Sequence, residues 1–417
     1  MSTYIIAVSI AIPIFILLIG IEAFAASRKG LQINHSADMI SSLSSGITNT
    51  TRDGIKFGFV FLSYTWLVDH ITIIKVEPLW LAIVIAFIAE DFAGYWIHRL
   101  NHKINIFWNR HIIHHSSEEY NLSCALRQSI SNNFKFAAVF LIPAALLGIP
   151  PYLFAIISPV HLFMQFWYHT RLIDKMGWLE NILVTPSHHR VHHAINPEYI
   201  DKNYSQIFII WDKLFGTFQL EEQSIPPVYG ILRPAQTWNP FIINFKHLWQ
   251  MLKDAYHAQS LWDKFRIWFM PTGWRPDDIT KQFPLKTIGN LDSMEKYYPN
   301  NSRMKLGWVW LQFSLSSLLM FLIFFINMKD FPFLIIIVTI GVLFLHIMSY
   351  SFLLDNSGLA IAMELLKFIL VCVLLFLLKQ GEFLTSNILY FITISYIIFS
   401  MSGTLYYSKN KIIKPLV

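Results

Sequence analysis

The chain has 417 residues, 54% of them hydrophobic and only 14% charged, which excludes a soluble globule and describes a polytopic membrane protein. A formal charge of +6 would suit nucleic acid, but Lys and Arg gathered on the cytoplasmic side of a membrane protein account for it, so no nucleic-acid partner is expected. The two cysteines, Cys124 and Cys372, lack CxxC spacing and suggest neither a disulfide framework nor a thiolate metal site.

A bilayer core of about 30 Å needs roughly 20 apolar residues in a helix. Stretches at or near that length are 4–24, 54–74, 79–97, 134–147, 152–168, 308–327, 331–353, 359–378 and 387–406. The first has no basic leader and no cleavage site, so it reads as a retained span. The stretches 134–147 and 152–168 are short and joined by Gly148-Ile149-Pro150-Pro151, which makes them a full or a re-entrant hairpin. The expected fold class is therefore an all-α integral membrane bundle of about nine spans, with eight and seven as the lower counts. It divides into N-terminal spans (1–78), a catalytic region (79–220), a cytoplasmic or interfacial segment (221–306) and C-terminal spans (307–417). Within the third region, 241–269 is rich in Trp and Phe and reads as interfacial helices or as ordinary capping helices.

With the N-terminus outside, the inside loops 25–53, 97–133, 169–306 and 354–358 and the tail 407–417 hold 26 Lys and Arg, and the outside loops hold three. This positive-inside bias predicts a multi-pass protein of a bacterial inner membrane or the endoplasmic reticulum.

Eleven of the sixteen histidines lie between His98 and His193. Eight fall in three clusters: His98 and His102; His111, His114 and His115; His189, His192 and His193. Residues three or four apart share a helix face, and imidazole suits iron, zinc, copper or nickel. One tetrahedral ion needs three or four ligands, so eight convergent imidazoles imply two ions. All three clusters fall on the cytoplasmic side of the expected topology. His35, His70, His161, His247, His257 and His346, standing alone, read as ordinary surface or core histidines. From His102 to His111 is nine residues, about 900° of helical rotation, so a turn near Asn105 is required to bring the first two clusters together. Asp91 shares a face with Tyr95, His98 and His102, and a carboxylate inside a span needs a partner. It is expected to orient a ligand imidazole from another cluster, or to pair with Arg99 or Arg110. An all-imidazole set leaves a metal pair strongly positive, which suits oxygen insertion into a C–H bond and also permits Lewis-acid hydrolysis. A non-catalytic metal-binding or transport protein is the reading from another class. Nothing supports a Ser or Cys nucleophile or a Gly-rich phosphate loop.

The ordered motifs HxxxH, HxxHH and HxxHH, with the words EDFAGYWIHRLNH (90–102), HHSSEEYNLSCALRQS (114–129), QFWYHT (165–170) and TPSHHRVHHAINPEYIDKNYSQIFIIWDKLFGTF (185–218), resemble the fatty acid hydroxylase superfamily, and most closely its ether-lipid-cleaving branch. The resemblance implies two iron ions, O2 as co-substrate, a tetrahydropterin reductant and a membrane lipid substrate, most closely an alkylglycerol hydroxylated at its ether-linked carbon. Hydroxylation or desaturation of a sterol, carotenoid or fatty acyl chain is the alternative within the superfamily. The metal ligands it implies are His98, His102, His111, His114, His115, His189, His192 and His193, with His169 as a ninth and His188 as a weaker candidate. It places Asn203, Tyr204 and Asp212 in supporting or catalytic roles. The branch carries Glu directly after the second histidine, where this chain has Lys103. A carboxylate can accept the N–H groups of a pterin and an ammonium cannot. Lys103 therefore predicts an anionic partner at the cofactor position, such as a lipid phosphate, and weak pterin dependence. The sequence names neither the electron donor nor the oligomeric state.

Overall fold

The computed structural model describes residues 3–54, 59–132, 134–325, 331–383 and 387–409. The ends of two expected spans, 55–58 and 326–327, lie outside these residues, as do Lys329 and the tail beyond 409.

Long apolar runs produce the long helices, even with Pro13 inside the first of them. The first, α1 (Thr3–Arg28), is followed by α2 (Ser36–Gly54), which occupies what composition assigned to an inside loop. This second helix is polar yet buried. Its small Ser and Thr side chains allow close packing against the helix Arg303–Phe325 and the 3-10 turn Leu122–Leu126, and two of them bond to distant segments: Ser44 Oγ lies 2.7 Å from Tyr350 Oη, and Ser45 Oγ donates to the Gln128 carbonyl at 2.6 Å.

Next come a strand, β1 (Phe59–Val60), and the short α3 (Tyr64–Ile71). The 25-residue α4 (Leu79–Lys103) carries the first two histidines on its last turns. It stops because Ile104 is extended (φ −116°), and α5 (Asn105–Trp108) and α6 (Ile112–His115) follow, so the turn required near Asn105 is present. A second strand, β2 (Phe134–Lys135), pairs in parallel with β1. Then come α7 (Ile142–Leu146), α8 (Pro151–Phe163), α9 (Pro186–His193), which starts with proline at its first position, and α10 (Ile210–Leu214). Ala82, Ala86 and Ala93 on α4 let Leu153, Phe154 and Ile157 of α8 pack closely against it.

The chain continues through α11 (Pro240–His257), α12 (Leu261–Arg266) and α13 (Asp277–Gln282) to a C-terminal bundle of α14 (Arg303–Phe325), α15 (Phe333–Leu354), α16 (Leu359–Gln380) and α17 (Asn387–Lys409). Inside that bundle Lys367 Nζ contacts Glu364 at 2.9 Å, Ser400 Oγ at 2.8 Å and His346 Nδ1 at 3.1 Å, so the intramembrane charge is paired.

Among the described residues five helices, against nine expected spans, are long and apolar enough to cross a membrane: Ile6–Arg28, Leu79–Lys103, Arg303–Phe325, Phe333–Leu354 and Leu359–Gln380. The 23-residue α17 has spanning length as well. The difference lies in 54–74 and 134–168. The described part of the first holds only the two-residue β1 and the eight-residue α3, and the second is cut into β2, a 3-10 turn at Ala137–Val139, the five-residue α7 and the 13-residue α8. At 1.5 Å per residue α8 reaches only about 20 Å. Gly148 makes the fold-back possible. It sits at φ +64°, and a Cβ there would lie 2.7 Å from the Ile74 carbonyl oxygen.

Candidate metal centre

Nine histidine side chains converge beside the end of α4. In the first group, one ring nitrogen from each of His98, His102, His111, His115 and His192 lies within 4.8 Å of all the others. In the second the same holds for His114, His169, His189 and His193. Each three-histidine motif therefore feeds both groups. His111 and His115, four apart, share the first, while His114, one residue or about 100° before His115, turns to the second. On α9 the split is reversed, with His189 and His193 in the second group and His192 in the first. The groups abut where the rings of His115 and His193 stack, 4.4 Å between centroids.

The opposite ring nitrogens explain why the Nε2 atoms point inward. Nδ1 of His98 donates to the Tyr204 carbonyl (2.7 Å), that of His192 to Lys202 (2.9 Å), that of His169 to Gln165 (3.0 Å) and that of His114 to Arg127 (3.3 Å). A carbonyl can only accept, so in these four rings the proton sits on Nδ1 and Nε2 presents a lone pair. His114 and His169 then face each other lone pair to lone pair, with 3.4 Å between the Nε2 atoms. That contact is not a hydrogen bond. It is the spacing of two ligands about 2.0–2.1 Å from one ion at a tetrahedral angle, about 3.4 Å apart. Other Nε2 pairs lie at similar distances, 2.8 Å for His98–His111 and 3.1 Å for His102–His115 and His192–His115. The donor set thus fits one cation in each group.

Burial acts in the same direction. It disfavours the charged imidazolium, and neighbouring imidazoles add to the effect, so His111, His114, His115, His189, His192 and His193 are held well below the ordinary histidine range and His169 is lowered to about 3. Neutral imidazole is the ligand form.

The carbonyls that orient the rings are themselves fixed. Residues 201–205 carry two of them, and Asp201 (φ 64°) and Asn203 (φ 54°) take left-handed conformations that aim the Lys202 and Tyr204 carbonyls at the first group. Asn203 Nδ2 donates to the His188 and Gln219 carbonyls at 3.0 and 2.8 Å. Asp212 accepts from the amides of Tyr204 and Ser205, both at 2.8 Å. The guanidinium of Arg127 lies 2.7 Å from Asp38, with both groups buried, and also donates to Ser42 and Ser116 at 3.0 Å. Asn203 and Tyr204 thus support the site through the backbone, and the Tyr204 ring lies 5.2 Å from that of His102.

Two sequence expectations need correction. Asp91 does not meet any of the nine histidines, nor Arg99 or Arg110. It accepts from His161 Nε2 (2.9 Å), the amides of Ile207 (2.9 Å) and Phe208 (3.1 Å), and Trp211 Nε1 (2.8 Å). The cause is its height on α4. Seven residues before His98 is about 10 Å along the axis, level with the 207–211 loop and not with the ligands. Lys103 is not a cation awaiting a phosphate, because its Nζ is 2.6 Å from Asp201, whose other oxygen lies 3.8 Å from His102 Nδ1. His188 belongs to neither group. Asp201, Arg127 and His161 were missed as supporting residues. Only the Asp-Lys-Asn run around position 202, which favours left-handed turns, could have flagged the first.

Residues 83–217 match the family profile described as fatty acid hydroxylase. The chain is 32% identical over 397 residues to alkylglycerol monooxygenase of Xenopus tropicalis, covering 93% of this chain and 84% of that protein. It is 38% identical over 271 residues to the human protein of the same name, covering 64% of this chain and 59% of the other. Over 142 residues it is 32% identical to the ornithine lipid hydroxylase OlsE of Rhizobium tropici, covering 34% of this chain and 43% of that one. No solved structure matches it.

Proposed function

The chain belongs to the fatty acid hydroxylase family, with alkylglycerol monooxygenases among its relatives over most of its length, and from that we propose that it is a membrane-bound di-iron monooxygenase that hydroxylates the ether-linked carbon of an alkylglycerol. The observation that carries the metal part of this reading is the His114–His169 contact, two lone pairs facing at 3.4 Å. His98, His102, His111, His115 and His192 would hold one ion, and His114, His169, His189 and His193 the other. Two iron ions would supply O2 activation: one oxygen atom would enter the C–H bond beside the ether oxygen, the other would leave as water with two electrons from a reductant of the tetrahydropterin class, and the resulting hemiacetal would fall apart to an aldehyde and a free glycerol hydroxyl.

The protein's own part is orientation. Carbonyls of Arg127, Gln165, Lys202 and Tyr204 fix which nitrogen of His114, His169, His192 and His98 faces inward, and conserving that choice requires the segments around them to stay put. Burial of the rings keeps them unprotonated and limits water at the centre. We place the site at the cytoplasmic boundary of the membrane. Membranes containing the protein, incubated aerobically with labelled alkylglycerol, should release labelled aldehyde, and should not do so anaerobically. The same incubation with and without tetrahydropterin tests the reductant. Release of labelled fatty alcohol without O2 would convert the reading to a hydrolase on the same ligands.

A further inference from the structure

The segment 237–272 is pinned at both ends where spanning helices end on the histidine side. At its start, Asp355, which caps α15, accepts from the Thr237 hydroxyl and from the Trp238 amide, the latter at 2.7 Å. At its end, Ile104, which caps α4, bridges Pro271, and the Asn105 amide donates to the Met270 carbonyl at 2.9 Å. Both α4 and α15 are long and apolar enough to cross a bilayer. The 18-residue α11, about 27 Å long, therefore runs between two points at one membrane surface.

Its two faces differ. Ile243, His247, Met251 and Asp254 are buried against the protein, with His247 Nε2 2.9 Å from the Asn105 carbonyl and the Leu248 amide donating to Asn109 Oδ1 at 3.0 Å. On the other side Phe245 (40% exposed), Trp249 (62%), Leu252 (44%) and Tyr256 (78%) step by four, three and four. That is a continuous apolar stripe turned away from the fold. Trp262 (62%) and Phe265 (60%) extend it onto α12. Exposed Lys253 lies one turn beyond Trp249 and gives the stripe a basic edge, whereas Lys246, one turn before Trp249, turns its Nζ back to the Pro234 and Ala235 carbonyls at 3.0 and 2.8 Å.

We propose that α11 and α12 lie in the leaflet on the histidine side, with this stripe at the boundary of glycerol and acyl chains and Lys253 at phospholipid phosphates. Because α11 is fastened through Asn105 and Asn109 to the segment leading into His111, docking sets the depth of the metal centre in the membrane. The proposal stands on this geometry. It deepens the reading above, since the ether-bearing carbon of a glyceryl ether lies at that same depth.

The test uses the full chain carrying Cys372→Ser, with buried Cys124 left in place, reconstituted in phosphatidylcholine–phosphatidylserine vesicles. Nitroxide labels are placed singly through Trp249→Cys and Phe265→Cys. Leu366→Cys on α16 serves as the lipid reference and Gln223→Cys as the exposed polar control. Collision with O2 should exceed collision with a water-soluble nickel complex at 249 and 265, at a depth of about 5–10 Å. Values matching those at 223 would overturn the proposal and leave the stripe to a soluble partner. Shielding from both reagents, with dipolar broadening between labels, would overturn it in favour of a second copy. If either variant fails to fold, Leu252→Cys and Tyr256→Cys report on the same stripe. Depth is read without turnover, so a failed reaction assignment and a failed docking assignment give separate results.

Discussion

Replacing Asp91 by Asn tests whether a carboxylate distant from the metal ligands holds them in place. Asp91 is fully buried and accepts four hydrogen bonds, two on each oxygen. An amide keeps one acceptor oxygen and puts two N–H groups where the other was. In the least costly orientation the amide nitrogen faces His161 and the Ile207 amide. His161 can change tautomer and accept, but the Ile207 N–H cannot, and one orphaned buried donor costs about 1–3 kcal/mol. The opposite orientation orphans both the Phe208 amide and Trp211 Nε1, at about twice that cost. The loosened 207–211 loop leads directly into Tyr204, whose carbonyl orients His98. Loss of such orientation typically lowers metal affinity about 10–100-fold. Thermal unfolding of the purified protein should show the stability loss, and metal analysis after a timed chelator challenge should show faster depletion. An Asp91→Asn variant that unfolds at the wild-type temperature and keeps its metal as long would refute this chain of support.

His192→Ala and His114→Ala each remove a ligand from a different group, so each should lower metal content from about two ions per chain toward one, read by elemental analysis, and abolish aldehyde release. Arg127→Met should cost about 3–5 kcal/mol in thermal unfolding because it leaves Asp38 charged and buried, whereas Arg127→Met with Asp38→Leu should recover much of that loss. Lys103→Glu replaces a partly exposed ion pair with Asp201 by a repulsion, so stability should change by no more than about 1 kcal/mol while the tetrahydropterin response of the reaction changes more. His247 is lowered to about 4 by burial, so the fold holds it neutral while the unfolded chain takes up a proton near pH 6.5. Its stability contribution is full above that pH and is lost as pH falls toward 4, up to about 3 kcal/mol, and the acid sensitivity of His247→Gln in unfolding titrations should be smaller by that amount.

Hydropathy found α4, α14, α15 and α16 because an uninterrupted apolar run of that length has few other solutions. It misjudged 134–168 because it counts residues and ignores how the chain closes on itself. The short pieces there are held by contacts such as Tyr64 Oη donating to the Ile149 carbonyl (2.9 Å) and the Ile73 amide to the Leu146 carbonyl (2.9 Å), which link residues more than seventy positions apart. The same blindness hid α2. A Ser- and Thr-rich stretch has no apolar signal, and its burial depends on partners as remote as Tyr350, 306 positions from Ser44.

The metal centre was legible to the extent that its geometry is local. Three- and four-residue spacing puts imidazoles on one face whatever the rest of the chain does, and nine of the ten histidines named from spacing and resemblance converge, with His188 in neither group. Spacing alone could not sort them into groups, since His111 pairs equally well on a helix with His114 or His115. The answer depends on where α4 and α9 approach the loop between them. Least visible was what aims the rings. Four acceptors are main-chain carbonyls, and a carbonyl is present at every residue, so Gln165, Lys202, Tyr204 and Arg127 carry no side-chain mark of that role. What marks them is the conformation imposed by their neighbours. Asn203 and Asp201, in left-handed backbone, turn the Lys202 and Tyr204 carbonyls toward one metal group, and Asp91 and Asp212 hold the residues that follow. The acidic and amide residues that sequence reasoning sought beside the metals therefore act through the backbone that presents the histidines.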